Sequence, residues 1–132
     1  EILRCLVGSE MCIRDRQETA ETIRRVYNDS KYLLDPHTAV AWRACEKYRL
    51  VTSDDRYAVV VSTASPYKFS GSVYEAVKNG GEELHSFDAL HKLHELTGVP
   101  VPEKMLQLEN MPVLHKEVIE PENMAEAVKN SI

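Results

Sequence analysis

The segment Tyr57-Ala-Val-Val-Val-Ser62 constrains the fold of this chain more than any other. A continuous β-branched run of this kind has no polar face, so it is expected to be a strand buried on both sides near the centre of a parallel sheet. Parallel strands cannot be joined by a tight turn and need crossover connections, usually through a helix. Only one other strand candidate is present, around Val113 to Val118. The expected architecture is therefore α/β, with helices around a mainly parallel sheet that this chain leaves incomplete.

The helices that would surround such a sheet are easier to place. From Gln17 to Asn28, Ala20, Ile23 and Val26-Tyr27 recur at helical spacing, with acids early and Arg24-Arg25 later, in line with the helix macrodipole. Asn28-Asp29-Ser30 should end this helix. Asp35-Pro36 then opens a second one, with Asp35 as N-cap and Pro36 at the first helical position, where its missing N–H costs nothing. Ala39, Val40, Trp42, Ala44 and Cys45 give that helix a small-residue face, and Thr52 to Arg56 reads as a polar loop. Further helices are expected at Ser70 to Lys78, Ser86 to Thr97 and Pro121 to Asn130, with a short helical turn from Glu103 to Glu109. Asn79-Gly80-Gly81 and Gly98 supply the stops.

The first sixteen residues do not share these periods. Leu6-Val-Gly-Ser-Glu-Met-Cys-Ile-Arg-Asp15 resembles one reading frame of a transposon adapter used to prepare sequencing libraries, with Cys5 and Arg16 completing codons at its edges. Residues 1–16 are accordingly expected to be non-native and are set aside in reasoning about the fold, leaving 17–132 as the native part. An in-frame fusion of this kind implies that upstream coding sequence was lost and that the rest is a fragment. The charge is unaffected, because the segment holds three acids (Glu1, Glu10, Asp15) and three bases (Arg4, Arg14, Arg16).

Composition excludes several classes of function. A net charge of −5 and a pI near 5.5 argue against general nucleic-acid binding, which needs clustered Lys and Arg; the densest basic pair is Arg24-Arg25. No apolar run approaches the roughly 20 residues of a membrane span, and no secretory signal is legible, so the expected compartment is the cytoplasm. Cys5, Cys12 and Cys45 form no CxxC, which speaks against a disulfide framework or a structural zinc site. His91 and His94 lie three apart on an expected helix, with His85 upstream and His115 near the end, but no carboxylate or thiolate completes a metal set, and none is assigned.

Two short segments carry candidate chemistry. In Val61-Ser-Thr-Ala-Ser-Pro-Tyr-Lys-Phe69, Ser62, Thr63 and Ser65 fall where the expected strand ends, the place at which open α/β sheets bind ligands. A hydroxyl-rich turn that caps the following helix is an equally good account of those positions, and Lys68 reads either as an anion ligand or, more simply, as a solvated lysine. Asp35-Pro-His-Thr38 puts His37 and Thr38 on a first helical turn, where anions are attracted, although capping alone explains the motif.

Taken in order, Tyr32-Leu-Leu-Asp-Pro-His-Thr-Ala-Val-Ala41, Ser62-Thr-Ala-Ser-Pro-Tyr-Lys-Phe69, Leu96-Thr-Gly-Val-Pro-Val-Pro102 and Pro112-Val-Leu-His115 resemble the C-terminal third of bacterial threonine synthase. The resemblance runs from Gln17 to the C-terminus. It implies a fold-type-II enzyme dependent on pyridoxal 5'-phosphate, architecturally related to the tryptophan synthase β chain. It further implies a carbon–oxygen lyase acting on phosphates, which takes O-phospho-L-homoserine and water to L-threonine and phosphate, the last step of threonine biosynthesis. By the same resemblance the Ser-Thr-Ala turn supplies a hydroxyl to the cofactor's pyridine nitrogen, from Thr63 or, as the neighbouring alternative, Ser62. His37 and Thr38 fall near the active site without an implied role. The family's Schiff-base lysine, its asparagine over the ring and its glycine-rich phosphate loop belong upstream. No lysine here matches the first, so no catalytic residue is assigned and the fragment alone is expected to be inactive. Two alternatives remain at this point: a small non-catalytic α/β module that binds a ligand or partner, and a sister dehydratase of the same fold type.

Overall fold

A computed structural model describes residues 16–80, 84, 86–114 and 118–130. They fall into two units that divide between Val101 and Pro102. The calls on Cys5, Cys12, Gly81, His85 and His115 lie outside the described residues.

The first unit is built from four helices: α1 (Arg16–Ser30), α2 (Pro36–Thr52), α3 (Ser70–Lys78) and α4 (Ser86–Thr97), with a 3₁₀ turn at Pro66–Phe69 leading into α3. Helix α1 packs against both α2 and α3, and α3 packs in turn against α4. Each buries one stripe, as the helical period requires. Thr22, Ile23 and Val26 come from α1, Val73, Tyr74 and Ala76 from α3, and Ala89, Leu90 and Leu93 from α4. Leu33 and Leu34, in the link between α1 and α2, and Tyr67, in the 3₁₀ turn, complete this core. The buried Thr22 hydroxyl donates back to the Glu18 carbonyl at 2.8 Å, so its polar atom is not stranded.

Helix α2 is buried only at its start, through Thr38 and Ala39. Pro36 occupies its first position, the Asp35 side chain accepts from the backbone of His37 and Thr38, and Ser53 ends it in the left-handed conformation with its N–H on the Arg49 carbonyl. Helix α3 ends the same way on Asn79, at φ 65°. Close approach explains one glycine: a Cβ on Gly71 would lie 2.6 Å from the Leu84 carbonyl oxygen, so the start of α3 can lie against that backbone only without a side chain. In the second unit, a short helix α5 (Glu103–Leu108) is followed by a 3₁₀ turn at Pro121–Asn123 that continues into α6 (Met124–Asn130).

The expected sheet is not there. Among the described residues the structure is helical, with no strand, and the α/β reading is corrected accordingly. Residues 57–63 are neither helix nor strand and join no ladder among the described residues, and Tyr57, Val59 and Val61 are 105%, 90% and 69% exposed. Val113, Leu114 and Val118 are likewise exposed and outside any ladder, while residues 115–117 lie outside the described residues. The physical reason is that β-branching favours a pleated, half-buried surface without creating one, because a strand's backbone groups are satisfied only by a neighbouring strand.

Candidate functional site

The start of α2 and the segment that runs to Ser62 meet at Asp35. This carboxylate is fully buried, and its burial is made tolerable by the number of donors around it. Oδ1 accepts from the backbone N–H of His37 at 2.9 Å and of Thr38 at 3.3 Å. Oδ2 accepts from the Thr38 hydroxyl in a short hydrogen bond and from the Ser62 hydroxyl at 3.5 Å. Burial pushes the Asp35 carboxyl up, but the hydrogen bonds from the Thr38 hydroxyl and from the two backbone N–H groups, together with the charge on nearby His37, outweigh it and hold the group below its ordinary value. Asp35 is therefore ionised at neutral pH and acts only as an acceptor.

The three hydroxyls of the Ser62-to-Ser65 turn have separate fates. Ser65 accepts from the Tyr67 backbone N–H at 3.3 Å and, with Pro66 following, caps the 3₁₀ turn, which bears out the capping account for that residue. Ser62 is drawn towards Asp35 and lies 3.3 Å from Thr38 Oγ1 and 3.4 Å from the Ala64 carbonyl. Thr63 is exposed and takes no part in this network. Lys68 is also exposed.

His37 leans over the same region. Its ring lies 5.0 Å from that of Phe69 with the planes at 53°, and its Nδ1 is 3.4 Å from Asp35 Oδ1. His37 thereby links the first turn of α2 to the 3₁₀ turn while remaining two-thirds exposed. Tyr67 is buried and donates to the Val99 carbonyl, which also receives the Nδ1 side of His94 at 2.7 Å. Tyr27 donates to the neighbouring Thr97 carbonyl at 3.2 Å. These contacts fasten the Gly98 turn to α1, to α4 and to the 3₁₀ turn that carries Tyr67.

Sequence reasoning singled out Asp35, His37, Thr38, Ser62 and Thr63 in two separate motifs, and the structure brings the first four into one cluster. It assigned Asp35 only a cap, and missed that its second oxygen reaches Ser62. No signal in the sequence joins residues 27 positions apart. His91 and His94 lie on α4, and no group of three or more His, Cys, Asp or Glu side chains suited to a metal occurs among the described residues. Nor is any described helix long and apolar enough to cross a membrane.

The described residues thus form helices that hold a hydroxyl turn against a buried aspartate. Residues 38–132 match the protein family described as "Threonine synthase, C-terminal", and the chain belongs to that family. It is 38% identical over 79 residues to the threonine synthase of Saccharomyces cerevisiae, covering 54% of this chain and 15% of that protein. With the threonine synthase of Pseudomonas aeruginosa the identity is 43% over 60 residues, covering 46% of this chain and 12% of the relative. The human threonine synthase-like 1 is 33% identical over 88 residues, 59% of this chain and 11% of its own length. The matched region is a small part of each of these relatives.

Proposed function

We propose that this chain is part of a threonine synthase that converts O-phospho-L-homoserine and water to L-threonine and phosphate in the cytoplasm, with pyridoxal 5'-phosphate as cofactor. The observation that carries the reading is the family match over residues 38–132, reinforced by identity to two proteins named threonine synthase. When bound, the cofactor supplies the electron sink that makes the substrate's α- and β-protons removable.

This chain's own contribution is a wall of the cofactor site. The donor set suits it: the Thr63 hydroxyl is exposed and outside the local network, and so is available to donate to a pyridine nitrogen, with Ser62 as the neighbouring alternative. A neutral hydroxyl cannot hold a proton on the ring nitrogen as a carboxylate does. The electron sink is thereby moderated, which suits elimination and addition. No lysine here lies in a motif suited to carry the cofactor covalently, so the chain by itself is expected to release no phosphate.

The full-length protein, supplied with pyridoxal 5'-phosphate and O-phospho-L-homoserine, should release inorganic phosphate and L-threonine in equal amounts. Thr63→Val should lower kcat by roughly a hundredfold, the scale of losing one oriented donor at a reacting group. Phosphate release without threonine, or no reaction in the cofactor-loaded protein, would sink the reading. Capture of phosphohomoserine without turnover would favour a non-catalytic module.

A further inference from the structure

We infer that Asp35 is a positioning residue for the Ser62–Thr63 turn: with Thr38 it engages the Ser62 hydroxyl, and this leaves Thr63 as the hydroxyl free to donate to a ligand. The consequence for the cofactor rests on the function proposed above; the positioning role does not.

Counting protons leads to this assignment. A hydroxyl has one proton to donate and two lone pairs. Asp35 Oδ1 is taken by the two backbone donors of the capped helix, so Oδ2 is the side of the carboxylate left for the hydroxyls. Thr38 Oγ1 donates to Oδ2, and Ser62 Oγ lies within reach of the same oxygen at 3.5 Å and of the Ala64 carbonyl at 3.4 Å. Both are acceptors without a proton, so the Ser62 proton is committed whichever of them it meets. An unprotonated ring nitrogen is itself an acceptor. Both Ser62 and Thr63 are exposed, but the Ser62 proton is committed to one of its two acceptors and Ser62 has nothing to offer the ring nitrogen, whereas Thr63, one residue on and outside the network, retains its donor. The two candidate hydroxyls thus have different duties: Ser62 fixes the turn and Thr63 faces the ligand. The Asp35 carboxylate also ties the turn to the packed part of the unit, since Asp35 caps α2 and its neighbour Leu34 is in the core.

Two variants separate positioning from capping. Ser62→Ala removes the tie and leaves the helix cap intact, whereas Asp35→Asn keeps a good cap, since Asn serves that position as well as Asp, and removes the charge that orients both hydroxyls. Hydrogen exchange on the full-length protein should show the amides of Tyr67 and Lys68, both hydrogen-bonded to Ser65 at the end of the turn, exchanging about tenfold faster in either variant, the scale of one lost hydrogen bond, with α3 and α4 unchanged. The double variant should be no faster than the single ones. In cofactor-loaded protein, Ser62→Ala should weaken pyridoxal 5'-phosphate binding about tenfold and shift its visible absorbance without abolishing it, as expected when an outer partner of a ligand contact is lost. Exchange at Tyr67 and Lys68 that does not change, or that rises together with all four helices, would overturn the positioning role and leave Asp35 as a cap. If the wild-type protein shows no bound-cofactor absorbance at all, the functional reading fails, while the exchange result still decides what Asp35 does.

Discussion

Val73 and Leu93 have no exposed surface, whereas Val59 and Val61, no less apolar, stand in solvent. The difference lies in how each region satisfies its backbone. Helices α3 and α4 close their hydrogen bonds internally, so a single apolar stripe is enough to bring them together. Residues 57–63 are neither helix nor strand, so their backbone has no helical partners, and the described chain offers no second strand. Most of the buried apolar residues of the first unit thus come from helices, and apolar content alone does not predict burial.

The largest effect should come from the self-sufficient side. Leu93→Ala removes a fully buried side chain between α3 and α4 and should cost about 2–5 kcal/mol of stability, read as a fall in Tm or in the urea midpoint. A cost below about 1 kcal/mol would mean that this core is loosely packed and that the contrast with residues 57–63 is weaker than the structure indicates.

Asp35 stands where the two regions meet. Asp35→Ala removes the α2 cap and leaves the Thr38 hydroxyl without its acceptor, a loss of about 1–3 kcal/mol in the same measurements. Its ionisation adds a pH dependence of definite sign. Because the folded carboxyl titrates below its ordinary value, its contribution is complete above about pH 4 and is lost as pH falls through the lower folded value. Glu46, held low against its own burial by Arg25, Trp42 and Arg43, acts in the same direction, so the comparison must be made against Asp35→Asn. That variant should lose less stability than the wild type between neutral pH and pH 3. An equal loss would show that Asp35 titrates alike in the folded and unfolded chain.

Gly71→Ala tests the packed side by crowding it. In an open helix the change should stabilise by up to about 1 kcal/mol. Here the added methyl meets the Leu84 carbonyl oxygen at 2.6 Å, so a net loss of about 1–2 kcal/mol is expected. A gain in Tm would mean that the backbone at Leu84 yields at little cost.

The same division governs what could be read from the sequence. The bounds of α3 and α4 and the opening of α2 were legible because their signals are local: Asp35 and Pro36 at one end, Asn79 or Gly98 at the other. Ser65 was legible as a cap for the same reason. The expected strand failed because a strand is a relation between segments, and no property of Tyr57 to Ser62 supplies its partner. Half of the candidate site failed to show for a similar reason. Asp35 and Thr38 share a helical turn, so their contact is local, but the reach from Asp35 to Ser62 depends on how a 27-residue separation folds back.

The smallest expected effect bears most directly on the comparison. Val59→Thr with Val61→Thr exchanges two exposed valines for side chains of nearly the same shape and β-propensity, and it should change the stability of the chain by less than about 0.5 kcal/mol, because surface positions without partners rarely contribute more. The hydroxyl makes this substitution discriminating. At a buried site Val→Thr introduces a polar group that must find a hydrogen bond, and failure to find one costs about 1–3 kcal/mol. A small change in the urea midpoint, independent of protein concentration, therefore keeps these valines in water. A loss above about 1 kcal/mol would place them against another surface, and its dependence on concentration would distinguish a second copy of the chain from a rearrangement within one.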